Sequence, residues 1–352
     1  MFNGTFTALI TPMTGDGDLD RPGLEQLVEF QIAGNISGLV IAGTTGESPT
    51  LAWEEHCELI DRVCRLVAGR CAVIAGTGSN STSEALAASE HAAGAGADGL
   101  LLVDPYYNGP SSLEIRREYL EPVASRFPEL QVIPYLVPGR TGTALLPEDL
   151  AILADRCVNV RTVKEATGDP QNAARIRQLC GPDFTILSGD DDRTLAMIAD
   201  PSIAAAGAIS VWSNLFPGPL QQMTDSALTG DTESAHRRVD ALAPLLASVH
   251  VQTVEPSTHG PVQCKARSPL PVKTLMHLLG LPSGPCRRPL GRMTRAGLQS
   301  LIDATRQVHA TDPTLFSPII DFFAIDVEAR LADAALADQF TYAAYEAELL
   351  TA

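Results

Sequence analysis

Val163-Lys164-Glu165-Ala166-Thr167-Gly168 places a lysine where a short apolar run gives way to a turn. The chain has three lysines (Lys164, Lys265 and Lys273) among its 25 basic residues, so nearly every other cation is an arginine. An amine kept at a strand end against that background points to chemistry that needs an amine. A guanidinium stays protonated, whereas a desolvated lysine can lose its proton and attack a carbonyl carbon. A half-buried lysine whose stem packs while its head reaches water is the structural alternative.

Other strand ends carry compatible groups. Gly43-Thr44-Thr45-Gly46-Glu47-Ser48 offers close backbone approach and two adjacent hydroxyls, a possible cradle for a carboxylate. Asp104-Pro105-Tyr106-Tyr107-Asn108 brings two phenols beside a proline turn. Tyr135 closes an apolar run just ahead of Val137-Pro138-Gly139-Arg140-Thr141-Gly142, in which Arg140 could clamp a carboxylate or simply be a solvated loop arginine. Ser188-Gly189-Asp190-Asp191 and Gly207-Ala208-Ile209-Ser210 complete the series. The paired aspartates read as loop caps more readily than as an acid/base pair. A lysine, a tyrosine, hydroxyls and an arginine are the inventory for imine chemistry on a 2-oxo acid. No metal-ligand cluster, Ser/His/Asp set or phosphate loop competes with it.

These groups act together only if the fold gathers them. Strands are predicted at 5–10, 38–42, 71–75, 99–103, 131–135, 158–164, 184–188 and 206–211. Helices are predicted at 23–33, 53–67, 83–95, 113–127, 147–154, 170–179 and 193–198. The strands are nearly continuously apolar, as when both faces are covered. Eight strands alternating with seven helices in residues 1–224 predict a (β/α)8 barrel, in which strand carboxyl ends share one mouth. An open doubly wound sheet is the rival, but Gly76-Thr77-Gly78 lacks the spacing of a dinucleotide turn. After residue 225 the strands are predicted to stop. Residues 225–312 then form a small helical domain, with helices at 234–247, 271–279 and 294–309 and an aperiodic loop at 255–268. Residues 313–352 form an acidic, alanine-rich, helical tail that covers the barrel, docks on a neighbouring subunit or stays partly ordered.

Composition narrows the partners. A formal charge of −17 argues against a nucleic-acid backbone as partner, and no apolar run is long enough to span a bilayer. The first residues lack the basic and apolar regions of a signal peptide. Seven cysteines, an odd number with no Cys-x-x-Cys pair, predict reduced thiols in a cytoplasm and no zinc site.

Taken in order, Gly43-Thr44-Thr45-Gly46-Glu47, Pro105-Tyr106-Tyr107-Asn108, Tyr135 with Val137-Pro138 and Arg140-Thr141-Gly142, Val163 to Gly168, and Leu187 to Asp191 resemble the dihydrodipicolinate synthase/N-acetylneuraminate lyase family of class I aldolases. The resemblance runs from about Phe2 to Arg306. It implies that Lys164 forms an imine with pyruvate, so no separate cofactor is used. It implies that Tyr135 relays protons with Thr44 and with Tyr107 from an adjacent subunit, which makes the protein a homodimer or homotetramer. It implies that Thr45 holds the pyruvate carboxylate, that Ile209 and Gly189 adjoin the substrate, and that Arg140 holds the carboxylate of L-aspartate 4-semialdehyde. Ser48, Trp53, His56, Asn80, Glu84 and Tyr106 match the positions of an L-lysine inhibitor site. Trp53 stands where a histidine is common. Three departures stand out: Leu136 in place of an asparagine, an insertion at 257–267, and the tail beyond residue 312. They leave open another aldehyde or sugar acid as substrate, or a non-catalytic barrel that binds a 2-oxo acid or an amino acid.

Overall fold

The computed structural model describes residues 2–346. Strands β1 (Gly4–Ala8), β2 (Gly38–Ile41), β3 (Ala72–Gly76), β4 (Gly99–Val103), β5 (Gln131–Leu136), β6 (Thr162–Glu165), β7 (Thr185–Ser188) and β8 (Gly207–Ser210) form a closed parallel barrel in sequence order. Its seam is tight. Gly207 pairs with Gly4, and a Cβ at Gly207 would stand 1.9 Å from the Gly4 carbonyl oxygen.

Alternation along each strand sorts side chains into two layers. Phe6, Val40, Ile74, Leu101, Ile133, Tyr135, Leu187 and Ile209 pack inside the barrel. Leu39, Ile41, Val73, Leu100, Leu102, Val132, Val163 and Ile186 face the surrounding helices. Both faces are therefore buried, which is why the strand sequences read as unbroken apolar runs.

Helices Arg21–Ala33, Trp53–Val67, Thr82–Ala95, Pro147–Arg156, Pro170–Cys180 and Thr194–Ala199 lie between strands. The predicted helix at 113–127 begins one residue earlier, at Ser112. Ser111 caps it, accepting from Glu114 N while Glu114 reaches back, and a π turn occupies Ile115–Leu120. Strand β6 is shorter than predicted because Val158 is 71 % exposed and a turn closes from Val160 N to Cys157 O.

One expectation fails beyond the barrel: the strands do not stop. β9 (His250–Glu255) and β10 (Val262–Arg267) form an antiparallel hairpin that takes up most of the predicted loop and insertion. The predicted helices there become Thr232–Leu246, Leu270–Leu279 and Arg295–Thr311. The tail breaks into short helices at Ser317–Phe323, Val327–Ala332 and Ala334–Asp338, and its described part packs on its own chain. The edge of Phe316 meets Phe216 with ring centres 5.1 Å apart, and Phe322 and Phe323 flank Phe30. The last six residues of the predicted tail helix lie outside the described region. Among the described residues no helix is long and apolar enough to cross a membrane.

Candidate active site

Lys164 is the third residue of β6 and Tyr135 the fifth of β5, and strand register pairs them directly. Both turn inward at the carboxyl end of the barrel. Lys164 Nζ lies 4.2 Å from the centre of the Tyr135 ring, and Lys164 is only 6 % exposed. No carboxylate pairs with it among the described residues. The stem rests against Gly189, where a Cβ would come within 2.6 Å of Ala166 Cβ and 3.1 Å of Lys164 Cε. Glycine at 189 therefore leaves the lysine its place. Ile209 lies in the same inner layer.

A cavity of about 220 Å³ opens beside this pair, walled by Thr44, Gly76, Tyr106, Tyr135, Val137 and Arg140 among others. Lys164 adjoins that wall through the Tyr135 ring. Arg140 follows β5 on a single helical turn, Pro138–Thr141, and donates from Nη2 to Ser268 O at 3.0 Å. Burial pulls its pKa below the usual guanidinium range. It is a held arginine rather than a solvated one. Thr45 is buried off the cavity wall, its hydroxyl 3.2 Å from that of Ser268.

Several expected residues lie elsewhere. Tyr107 is 94 % exposed at a positive φ of 76° and does not line its own chain's cavity. Leu136 is fully buried in the outer layer, because it follows the inward Tyr135 by one residue. Leu136 is not part of the cavity wall. The aspartate pair does not cap the next helix, whose N-cap is Arg193. Asp191 accepts from Val211 N at 2.9 Å and Trp212 N at 3.2 Å, fixing the turn after β8.

The six positions matched to an inhibitor site run outward from the cavity. Ser48 and Tyr106 line it. Asn80 accepts from Tyr106 N at 2.7 Å, and Glu84 accepts from the Ser79 hydroxyl. His56 is buried with Nε2 2.8 Å from Gly76 O, and burial holds its pKa below the usual imidazole range. Trp53 meets His56 edge-on and shares an outer hollow with Glu84.

Reading by residue type missed a second buried lysine. Lys273 Nζ donates to Glu47 Oε1 at 2.5 Å, Thr11 O at 2.9 Å and Pro285 O at 3.0 Å. Glu47 Oε2 also accepts from Arg287 N at 2.8 Å. With all three protons engaged, this ammonium serves as a strut and not a nucleophile. Ser268 was missed as well, since nothing in its local sequence announces contact with residues over 100 positions away.

A closed (β/α)8 barrel with an unpaired lysine against a tyrosine at its mouth defines the class as a barrel equipped for imine chemistry on carbonyl compounds. The chain belongs to the dihydrodipicolinate synthetase family, whose family model matches residues 1–308. A 4-hydroxy-tetrahydrodipicolinate synthase of Cyanothece sp. is 40% identical over 307 residues, covering 85% of this chain and 98% of that one. The solved structure of the 4-hydroxy-tetrahydrodipicolinate synthase from Methylacidiphilum fumariolicum SolV superposes with TM-score 0.81 at 34% identity, covering 90% and 99% of the two chains. The Cyanidioschyzon merolae enzyme, solved with lysine bound, gives TM-score 0.79 at 36% identity over 87% and 98%.

Proposed function

We propose that this chain condenses pyruvate with L-aspartate 4-semialdehyde to 4-hydroxy-tetrahydrodipicolinate, with Lys164 as the covalent catalyst. The juxtaposition of an unpaired Lys164 amine and the Tyr135 ring at 4.2 Å carries the reading. The Lys164 amine adds to the pyruvate carbonyl, and loss of water leaves an imine. The imine acidifies the adjacent methyl group, whose proton departs to give an enamine. The enamine carbon attacks the aldehyde, forming the new C–C bond and a hydroxyl. The amine of the second substrate then attacks the imine carbon, closing the ring and expelling Lys164. No added cofactor is required.

In this reading Tyr135 relays protons with Thr44, a role supported by the two residues sharing the cavity wall. Arg140 serves the carboxylate of the aldehyde substrate, the Gly43–Thr45 turn serves that of pyruvate, and Gly189 and Ile209 shape the floor. Tyr107, exposed and held at positive φ, fits a side chain that completes a neighbour's site, so we read the protein as a homodimer or a larger homo-oligomer. The path from Tyr106 through Asn80 and Glu84 to Trp53 is read as an L-lysine site. Seven free cysteines agree with a cytoplasmic setting. We assign catalysis to residues 1–224 and support of the mouth to residues 225–312.

The test is turnover of pyruvate with L-aspartate 4-semialdehyde, coupled to NADPH oxidation by an added reductase, with borohydride trapping read by mass spectrometry. Trapping should place pyruvate on Lys164. Lys164→Arg should keep the fold and lose both trapping and turnover, because a guanidinium forms no imine under these conditions. Near-normal turnover by that variant would end the proposal.

A further inference from the structure

The β9–β10 hairpin reaches the cavity mouth and brings cations there. Register sets Arg267 opposite His250 and Lys265 opposite Gln252, so Arg267, Lys265 and His250 share one face. The other face packs toward helix Arg295–Thr311. Thr253 Oγ1 is 3.1 Å from Thr294 Oγ1, and Val251 is buried beside Gly297. The basic face is the outer one, with His250 and Lys265 exposed.

The end of β10 is tied to the loop that carries Arg140. Arg267 Nη1 donates to Gly139 O at 2.9 Å, and Arg140 Nη2 donates to Ser268 O at 3.0 Å. Arg140 on the cavity wall is thus continued outward by Arg267, Lys265 and His250. Among the described residues none of the four has a carboxylate within 4.0 Å. That is unexpected in a chain where 42 acidic residues face 25 basic ones. Gathered like charges cost free energy unless an anion completes them. Partial desolvation of the ring first, and then the charges of Arg140, Lys265 and Arg267, hold the His250 imidazole below its usual range, which agrees with four groups sharing one field.

We propose that the hairpin forms an outer subsite for small carboxylates, in which Lys265, Arg267 and His250 gather an anion at the mouth before it reaches Arg140. The role in turnover rests on the reading of the cavity as a pyruvate-dependent active site. The subsite raises the local concentration of every anionic substrate and takes no part in the covalent steps.

Lys265→Glu is the decisive variant, because the Lys265 side chain makes no hydrogen bond or ion pair among the described residues and its loss leaves no partner stranded. Turnover at low and high salt is measured alongside calorimetric titration with glutarate, a non-reacting dicarboxylate. At low salt the variant should bind glutarate at least fivefold more weakly. Its kcat/KM for both substrates should fall about three- to tenfold, with kcat within about twofold. The gap should close in ~0.5 M salt, where screening shortens to a few ångströms. Lys265→Arg should behave as the unaltered chain. Equal glutarate affinity and equal kcat/KM at every salt concentration would overturn the subsite, as would a loss that persists undiminished at high salt. Charge-dependent glutarate binding without condensation by the unaltered chain would keep the subsite and remove the proposed reaction.

Discussion

Asp104 directly follows β4 and is fully enclosed, with one carboxylate oxygen accepting from Leu145 N at 3.1 Å and the other without a partner among the described residues. Burial pushes its pKa up to about 7. The folded value lies above the unfolded one of ~3.9. The contribution of Asp104 to stability is therefore fully present below the unfolded value and lost as pH rises through the folded one. Asp104→Asn keeps an acceptor for Leu145 N and removes the charge. It should raise stability at pH 8 by about 1–3 kcal/mol and change little at pH 4. Thermal melts at the two pH values test this, and an equal shift at both would refute it. The same scale shows what residue type can tell. Scarcity of lysine marks Lys164, but it marks Lys273 equally, and only the surroundings separate a saturated ammonium from an amine facing a ring. Leu136 is the converse case. It looks like a change to the site, yet strand alternation had already turned it outward.

At the scale of elements, the barrel strands were legible because parallel strands covered on both faces must be apolar. Their edges were less so, since Val158-Asn159-Val160-Arg161 alternates like a strand yet lies in and just after a turn. The hairpin escaped because its strands are half-buried. Val251 and Thr253 alternate with exposed His250 and Gln252, so the stretch is never apolar for long. Its period of two was present but short, and Pro256 and Gly260-Pro261 between the strands suggested a loop. Glu47 and Lys273 join the turn after β2 to helix Leu270–Leu279, a contact across 226 positions that no local pattern foretells. Lys273→Met would leave the Glu47 carboxylate enclosed without its cation. A loss of about 3–5 kcal/mol is expected, read as a lower urea midpoint with unchanged slope. A loss below ~1 kcal/mol would mean the pair is relaxed by water.

Across the whole molecule, the tail acts as a strap over elements distant in sequence. Phe316, Ile319, Val327 and Leu331 are buried, Arg330 Nε donates to Leu278 O at 2.6 Å, and Arg306 Nη2 donates to Leu331 O at 2.6 Å. Thr258 in the hairpin turn donates to Glu346 from its backbone N at 2.7 Å, so the tail also touches the hairpin. A chain ending at Asp312 would uncover Phe30 and Phe216. Each apolar side chain released is worth roughly 1.5–3 kcal/mol, and a Tm lower by about 5 °C or more is expected. An unchanged melt would show the strap to be dispensable. Helicity and apolar spacing made the tail's content readable, but not its destination, which depends on surfaces contributed by the barrel. The distribution of amines over the folded surface has a practical outcome. Lys164 and Lys273 are enclosed and Lys265 is exposed. An acylating reagent too large to enter the cavity therefore meets one exposed lysine amine on the native protein. A fluorophore coupled there, with no substitution made, would sit at the threshold of the cavity and report what passes it.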